Sequence, residues 1–384
     1  MGFDVVVVGE GGGPDETNLS AYGVSTRFHR HVALTAIFLC SSYLFKPSAV
    51  AWEDGIVALE AGSGQGTLQK LLQRDPDLFS APDQAARAKP YTAMEIYSLV
   101  RCFLISHAHL DHVNSLVLSA GSLSGPRKRL CGAKQTLADL ESVFADRIWP
   151  NLASWNEEDD DHKLLYTLLD MNDEYEPLIP NVSVRSFPVS HGHNVGGNYD
   201  STAFFIRYDP TGLEFLFFGD LEPDTLSHSP QTINVWRAAA PKIPASLSTI
   251  FIECSWPSSR SDDTLYGHLK PEHLVHELEA LAAEVVKVRA AASSASARPV
   301  RKRQRMDPSV TSPSSNLRGA LDGVRVFVIH CKDTLDGALD RPNQTLIIEQ
   351  IKALLEVKEL GVEILAARQG MRIREWSISS QRLN

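Results

Sequence analysis

Apolar residues along this chain gather in short runs that repeatedly stop at a histidine, an aspartate or a glycine. Cys102-Phe103-Leu104-Ile105 is one such run, and Phe215-Leu216-Phe217-Phe218 and the segment Val324 to Ile329 are others. Runs of about 4–8 apolar or β-branched residues bounded by polar residues predict buried strands. Strands are accordingly expected near 3–8, 32–40, 55–61, 102–105, 129–131, 181–187, 203–208, 214–219, 248–253, 324–329 and 371–377. Helices are expected from Val113, over Gln135 to Arg147, over Pro271 to about Ala290 and around Gln344 to Lys358. Proline at position 271 suits a first helical turn. A polar, alanine-rich stretch fills about 74 to 97.

The polar residues that end these strands are chemically of one kind. Ile105-Ser106-His107-Ala108-His109-Leu110-Asp111-His112 places three imidazoles and a carboxylate on a strand-to-helix turn. Such a turn can aim His107 and His109 at one metal ion and Asp111 and His112 at a second. Imidazole nitrogen and carboxylate oxygen are the ligands that divalent ions such as zinc prefer. His191 follows the strand-like Val182, Val184 and Phe187; Asp220 ends the run Phe215 to Phe218; His330 ends the run from Val324. A single strand-end histidine is weak as a sign of metal binding, but these seven together complete two sites.

These motifs resemble those of the metallo-β-lactamase superfamily, whose signature is H-x-H-x-D-H followed by a later His, Asp and His. A finer resemblance is to class II cyclic-nucleotide phosphodiesterases. It rests on His107 to His112, Phe218-Gly219-Asp220, Ile252 to Trp256, Tyr266-Gly267-His268-Leu269-Lys270-Pro271 and Val328 to Lys332. Gly9 to Asn18 and Leu59 to Ser63 fit the family's opening strands and loops. Glu60 departs from the aspartate more common in the superfamily, at a position not usually a ligand, so little consequence is expected. The resemblance covers nearly the whole chain apart from two inserts. It implies one α/β domain over 1–384, an αββα sandwich of two mixed sheets with outer helices.

The resemblance also implies hydrolysis of 3′,5′-cyclic nucleotides to 5′-monophosphates, cyclic AMP first with cyclic GMP open, attenuating cyclic-nucleotide signalling. His107, His109 and His191 would hold one divalent ion and Asp111, His112 and His330 the other, with Asp220 bridging. Zinc is the default, with manganese or iron(II) fitting nearly as well. Asp111 would thereby serve the catalysis directly. The leaving ribose oxygen needs a proton, and His268 is the candidate general acid, with Glu253 fixing its tautomer and raising its pKa. His193 is a weaker candidate for substrate contact. A tRNA 3′-processing nuclease, a thioester or lactone hydrolase, and a non-catalytic scaffold of the same fold are the competing readings.

Composition agrees with an enzyme acting on a small molecule. A chain of 384 residues with 43% hydrophobic content can bury a large core. The net charge of -10 argues against nucleic acid as a partner, because phosphate binding needs a basic excess. No apolar run reaches the roughly 18 residues a membrane span needs. Cys40, Cys102, Cys131, Cys254 and Cys331 are an odd set without a Cys-x-x-Cys pair, which fits reduced thiols in the cytoplasm. Val6 stands where N-myristoylation of Gly2 would need Ser or Thr. Oligomeric state is not fixed by these features; a homodimer is among the states they allow.

Two segments break the pattern. Trp155 to Asp161 is a charge run expected as a solvated loop, with Ile148, Trp149, Leu152 and Trp155 able to roof the active site. Residues 291–318 are rich in Ser, Ala, Pro and Arg and lack the apolar content to pack, so they are expected to be disordered. Within them Arg301-Lys302-Arg303-Gln304-Arg305 fits a nuclear localisation signal and an incidental basic loop equally well.

Overall fold

The computed structural model describes residues 2–11, 42–80, 89–194, 196–296, 316–332 and 342–374. In chain order the first half contains β1 (Phe3–Gly9), β2 (Ser42–Pro47), β3 (Ile56–Leu59), α1 (Gln65–Arg74), α2 (Ala93–Leu99), β4 (Val100–Ile105), α3 (Leu110–Ser119), β5 (Lys128–Gly132), α4 (Lys134–Val143), β6 (Ala153–Ser154) and β7 (Leu164–Leu168). The second half contains β8 (Glu176–Ile179), β9 (Val182–Asn194), β10 (Gly197–Tyr208), β11 (Leu213–Phe218), α5 (Thr232–Ala239), β12 (Leu247–Glu253), α6 (Pro271–Ser296), β13 (Arg325–Ile329), α7 (Asn343–Glu356), β14 (Glu363–Ala366) and β15 (Arg372–Arg374).

Among the described residues the strands form two sheets. One runs β15-β1-β2-β3-β4-β5-β7-β6 and the other β14-β13-β12-β11-β10-β9-β8. Both are mixed: β3, β4, β5 and β7 pair in parallel, as do β11 to β14, while β1 with β2 and β9 with β10 are antiparallel. Parallel strands are covered on both faces, which is why β4 reads as a nearly continuous apolar run instead of alternating. Facing side chains from the two sheets meet in a central layer, where Phe3 and Phe45 of the first sheet pack edge-on against Phe215 of the second. Leu68, Ile96, Val113, Leu116 and Leu137 seat the first four helices on the outside of the first sheet. Trp236, Leu274, Leu278 and Ile347 seat α5, α6 and α7 on the outside of the second. The layers therefore run helix, sheet, sheet, helix, as the motifs implied.

Local chemistry sets the element ends. In α2 the Thr92 hydroxyl accepts from Glu95 N–H at 3.2 Å while the Glu95 carboxylate accepts from Thr92 N–H at 2.7 Å, a reciprocal cap worth about 1 kcal/mol. That cap starts a helix inside the stretch read as merely polar. Helix α3 begins at Leu110, earlier than Val113, so Asp111 stands in its first turn, where the helix dipole favours a carboxylate. Helix α6 runs to Ser296, past the expected end at Ala290 and into the segment expected to be disordered. The strand expected near 32–40, Cys40, the remainder of the insert at 297–315 and its Arg301-to-Arg305 cluster lie outside the described residues. No helix among the described residues is long and apolar enough to cross a membrane.

The acidic loop turns on its own side chains, Asn156 accepting from Glu158 N–H and Asp159 from Asp161 N–H. Its neighbours are engaged in packing. Trp155 lies against Tyr166 and donates to Glu141, and Trp149 and Leu152 pack on the core under the first sheet's helices. Trp149 and Leu152 thus serve the core, while Ile148 and Trp155 stay largely exposed.

Candidate metal centre

The seven side chains singled out by the strand-end pattern converge at one rim of the sandwich. Strand β4 delivers His107 and His109, the first turn of α3 delivers Asp111 and His112, and β9 carries His191. Asp220 follows β11 and His330 follows β13. His107 Nε2 lies 3.0 Å from His109 Nδ1, which lies 3.2 Å from His191 Nε2. In a second group His112 Nε2 is 3.2 Å from both Asp220 Oδ2 and His330 Nε2, and His330 Nε2 is 3.2 Å from Asp111 Oδ2. Asp220 Oδ2 is also 3.8 Å from the Nε2 atoms of His107 and His191, so one carboxylate oxygen faces both groups.

This donor set fits metal ions. Tetrahedral bonds of about 2.0–2.1 Å put ligand atoms roughly 3.3–3.4 Å apart, close to the separations seen. Lone pairs held this near one another repel unless a cation or a proton lies between them. Burial holds His107, His109 and His330 below the usual imidazole range and takes His191 down to about 3, which leaves their nitrogens neutral and free to coordinate. His112 behaves differently: burial opposes its charge, but Asp220 and then Asp111 raise it well above the usual value. Burial likewise opposes ionisation of Asp111 and Asp220, and His112 overcomes it, holding both carboxyls below their usual range.

A second layer of contacts orients the ligands, as is general for metal-binding histidines. His191 Nδ1 donates to the Gly267 carbonyl at 2.8 Å. A Cβ on Gly267 would lie 2.7 Å from the His191 carbonyl oxygen, and its φ of +80° independently demands glycine. His107 Nδ1 meets Ser106 Oγ at 2.9 Å. His330 Nδ1 meets Ser255 Oγ at 3.0 Å, and that hydroxyl donates to Glu253 Oε2 at 2.6 Å. Glu60, expected to matter little, is fully buried behind His112, 3.6 Å from its Nδ1, and accepts from Ser106 N–H at 3.2 Å. Glu60 and His330 both adopt the left-handed backbone region at φ +57°, a conformation costing about 1–3 kcal/mol outside glycine, so both bends are held by their surroundings.

His268 and Glu253 also come together at this rim. His268 Nδ1 lies 2.9 Å from Glu253 Oε1 and 3.7 Å from Asp220 Oδ2. Glu253 additionally accepts from the Leu221 and Leu269 N–H groups. The expected rise in His268 basicity is reversed: burial takes the imidazole down to about 3, while burial and Asp220 push the Glu253 carboxyl up to about 7. Together the two groups therefore accept one proton near neutrality, as a pair. His193 is exposed, its ring edge against His228 at 5.2 Å. Sequence reasoning passed over Tyr199, whose ring stacks on His109, and Lys332, whose Nζ is 3.9 Å from Asp111 Oδ2. Tyr199 sits in no run of ligand types, so no local signal marked it, whereas Lys332 closes the Val328-to-Lys332 motif without having been given a role there.

An αββα sandwich with two ligand groups sharing one carboxylate at its rim defines a metallohydrolase of the metallo-β-lactamase type. The chain belongs to the class-II cAMP phosphodiesterase family, whose model, described as "cAMP phosphodiesterases class-II", matches residues 67–370. It is 32% identical over 252 residues to a 3′,5′-cyclic-nucleotide phosphodiesterase of Schizosaccharomyces pombe, covering 62% of this chain and 69% of that protein. A 3′,5′-cyclic-nucleotide phosphodiesterase of Aliivibrio fischeri is 29% identical over 376 residues, covering 96% of this chain and 91% of the relative. The solved structure of unliganded yeast PDE1 shares the fold, with a TM-score of 0.71, 22% identity and coverage of 96% of this chain and 98% of that one.

Proposed function

We propose that the chain hydrolyses 3′,5′-cyclic nucleotides, cyclic AMP before cyclic GMP, to 5′-monophosphates at this centre, with two divalent ions, zinc by default. His107, His109 and His191 would hold one ion, Asp111, His112 and His330 the other, and Asp220 would bridge them. Such a pair supplies a nucleophile at neutral pH and polarises the phosphate. Water oxygen adds to phosphorus and its proton passes to solvent, and the 3′ P–O bond breaks. The ribose oxygen leaves with a proton from His268 Nε2, and the Glu253–His268 pair takes a proton back from solvent. Glu253 keeps Nδ1 engaged, so the opposite nitrogen faces the reaction.

The observation that carries this reading is the buried Glu253–His268 pair beside Asp220. A proton held near neutrality next to a metal-ligating carboxylate suits a reaction whose leaving group is a poor one. The reading also treats residues 1–384 as one catalytic domain, with the insert at 291–318 outside its chemistry. Purified protein offered cyclic AMP, cyclic GMP, a thioester and a short RNA should turn over the cyclic nucleotides fastest. Preference for the thioester or the RNA would sink the reading.

A further inference from the structure

One cation at this rim has no part in the chemistry so far. Lys332 follows His330 by two residues, and its backbone is held on both sides. Its N–H donates to the Ser255 carbonyl at 2.9 Å, and its carbonyl accepts from Asn343 Nδ2 at 2.8 Å. Cys331 between them bridges to Gly11. The side chain therefore leaves a fixed point at the start of α7 and turns back toward the centre, only 16% exposed.

Its Nζ stops 3.9 Å from Asp111 Oδ2. Other lysines stand closer to their carboxylates, Lys270 to Asp262 at 2.6 Å, Lys242 to Glu214 at 2.7 Å and Lys46 to Asp4 at 3.2 Å. Asp111 is the most exposed carboxylate of the second ligand group, with 23% of its side chain accessible, so Lys332 stands on the open side of that group. A cation kept largely out of water costs free energy unless an anion joins it. Asp111 at 3.9 Å supplies only part of that partnership.

We infer that Lys332 is a catalytic residue whose ammonium binds a non-bridging phosphate oxygen of the substrate and stabilises the charge that grows there as the 3′ P–O bond breaks. This rests on the cyclic-nucleotide reading above. A lysine suits the task because it offers a compact charge with rotatable donors to a phosphate. On this account the phosphate completes the ion pair that Asp111 leaves open.

The test uses metal-loaded, full-length Lys332→Met and Lys332→Arg, with Lys332→Gln in place of the methionine variant if that does not fold. Metal content should equal the wild type. The neutral variant should lose about 10²-fold in cyclic AMP turnover, the scale of one lost oxyanion donor, and arginine should restore part of it. Inorganic phosphate binding, measured by calorimetry on the same proteins, should weaken about tenfold in the neutral variant. Phosphate binding does not depend on which ester is the substrate. If the wild type ignores cyclic nucleotides but phosphate binding still weakens, the cyclic-nucleotide reading fails and the phosphate contact stands. Unchanged phosphate binding, or depletion of metal in the neutral variant, would overturn the assignment and make Lys332 a support for Asp111.

Discussion

The phenol ring of Tyr199 lies flat on the imidazole of His109, with ring centroids 4.9 Å apart and planes 6° from parallel. Among the three imidazoles of the first group only His109 is exposed, so it lacks the enclosure that fixes His107 and His191. Stacking supplies the restraint that packing does not.

Tyr199→Ala should weaken metal binding about 10–100-fold, the usual effect of removing a group that orients a ligand. Tyr199→Phe keeps the ring and should stay near the wild type. Titration of chelator-stripped protein with metal, followed by circular dichroism, reads both. Equal affinity in all three proteins would show the stacking to be incidental.

Asp220 faces both ligand groups, so its loss should act on both. Wild-type protein purified without chelator should contain about two ions per chain. Asp220→Ala should lose most of the metal and most of the activity, measured by elemental analysis and turnover. One ion or none in well-folded wild-type protein would sink the dinuclear assignment.

His268→Ala should retain metal while cyclic AMP turnover falls about 10²–10⁴-fold. The loss should shrink for a phosphodiester with a p-nitrophenolate leaving group, which departs without a proton. Glu253→Gln should show a milder form of the same pattern. Equal slowing on both esters would remove His268 from proton donation.

Lys128 tests the core at alkaline pH. Its buried ammonium donates to the Ser98 and Pro126 carbonyls at 3.1 and 3.3 Å, and burial, then Arg101, lower its pKa to about 8. An unfolded lysine titrates near 10.4, so between about 8 and 10.4 the unfolded chain binds more protons and stability rises with pH. The cost of the buried charge is thus fully present below about pH 8. Urea midpoints of wild type and Lys128→Met should shift in favour of the wild type across that window. A pH-independent difference would mean Lys128 keeps its ordinary pKa.

Much of the fold was legible because β4, β11, β12 and β13 are buried on both faces and read as apolar runs. The short elements were not. Helix α2 depends on the Thr92–Glu95 cap and β8 on pairing with β9, and neither has a long apolar period of its own. The end of α6 was misjudged because alanine and serine carry little apolar signal while still continuing a helix.

By itself the sequence determined the seven ligand types and the strand ends they occupy, because a strand that stops at the sheet rim delivers its next residue there whatever lies around it. Only the tertiary structure decided what those residues meet. Glu60 comes behind His112 from 52 positions upstream. Tyr199 reaches His109 by way of the β9–β10 hairpin, and Lys332 reaches Asp111 across the joint between the two sheets. Burial, which no local pattern records, took His268 down and Glu253 up, where charge pairing alone had suggested the opposite for the imidazole. The desolvation of a buried charge depends on everything packed around it, and that surrounding exists only once both sheets have closed.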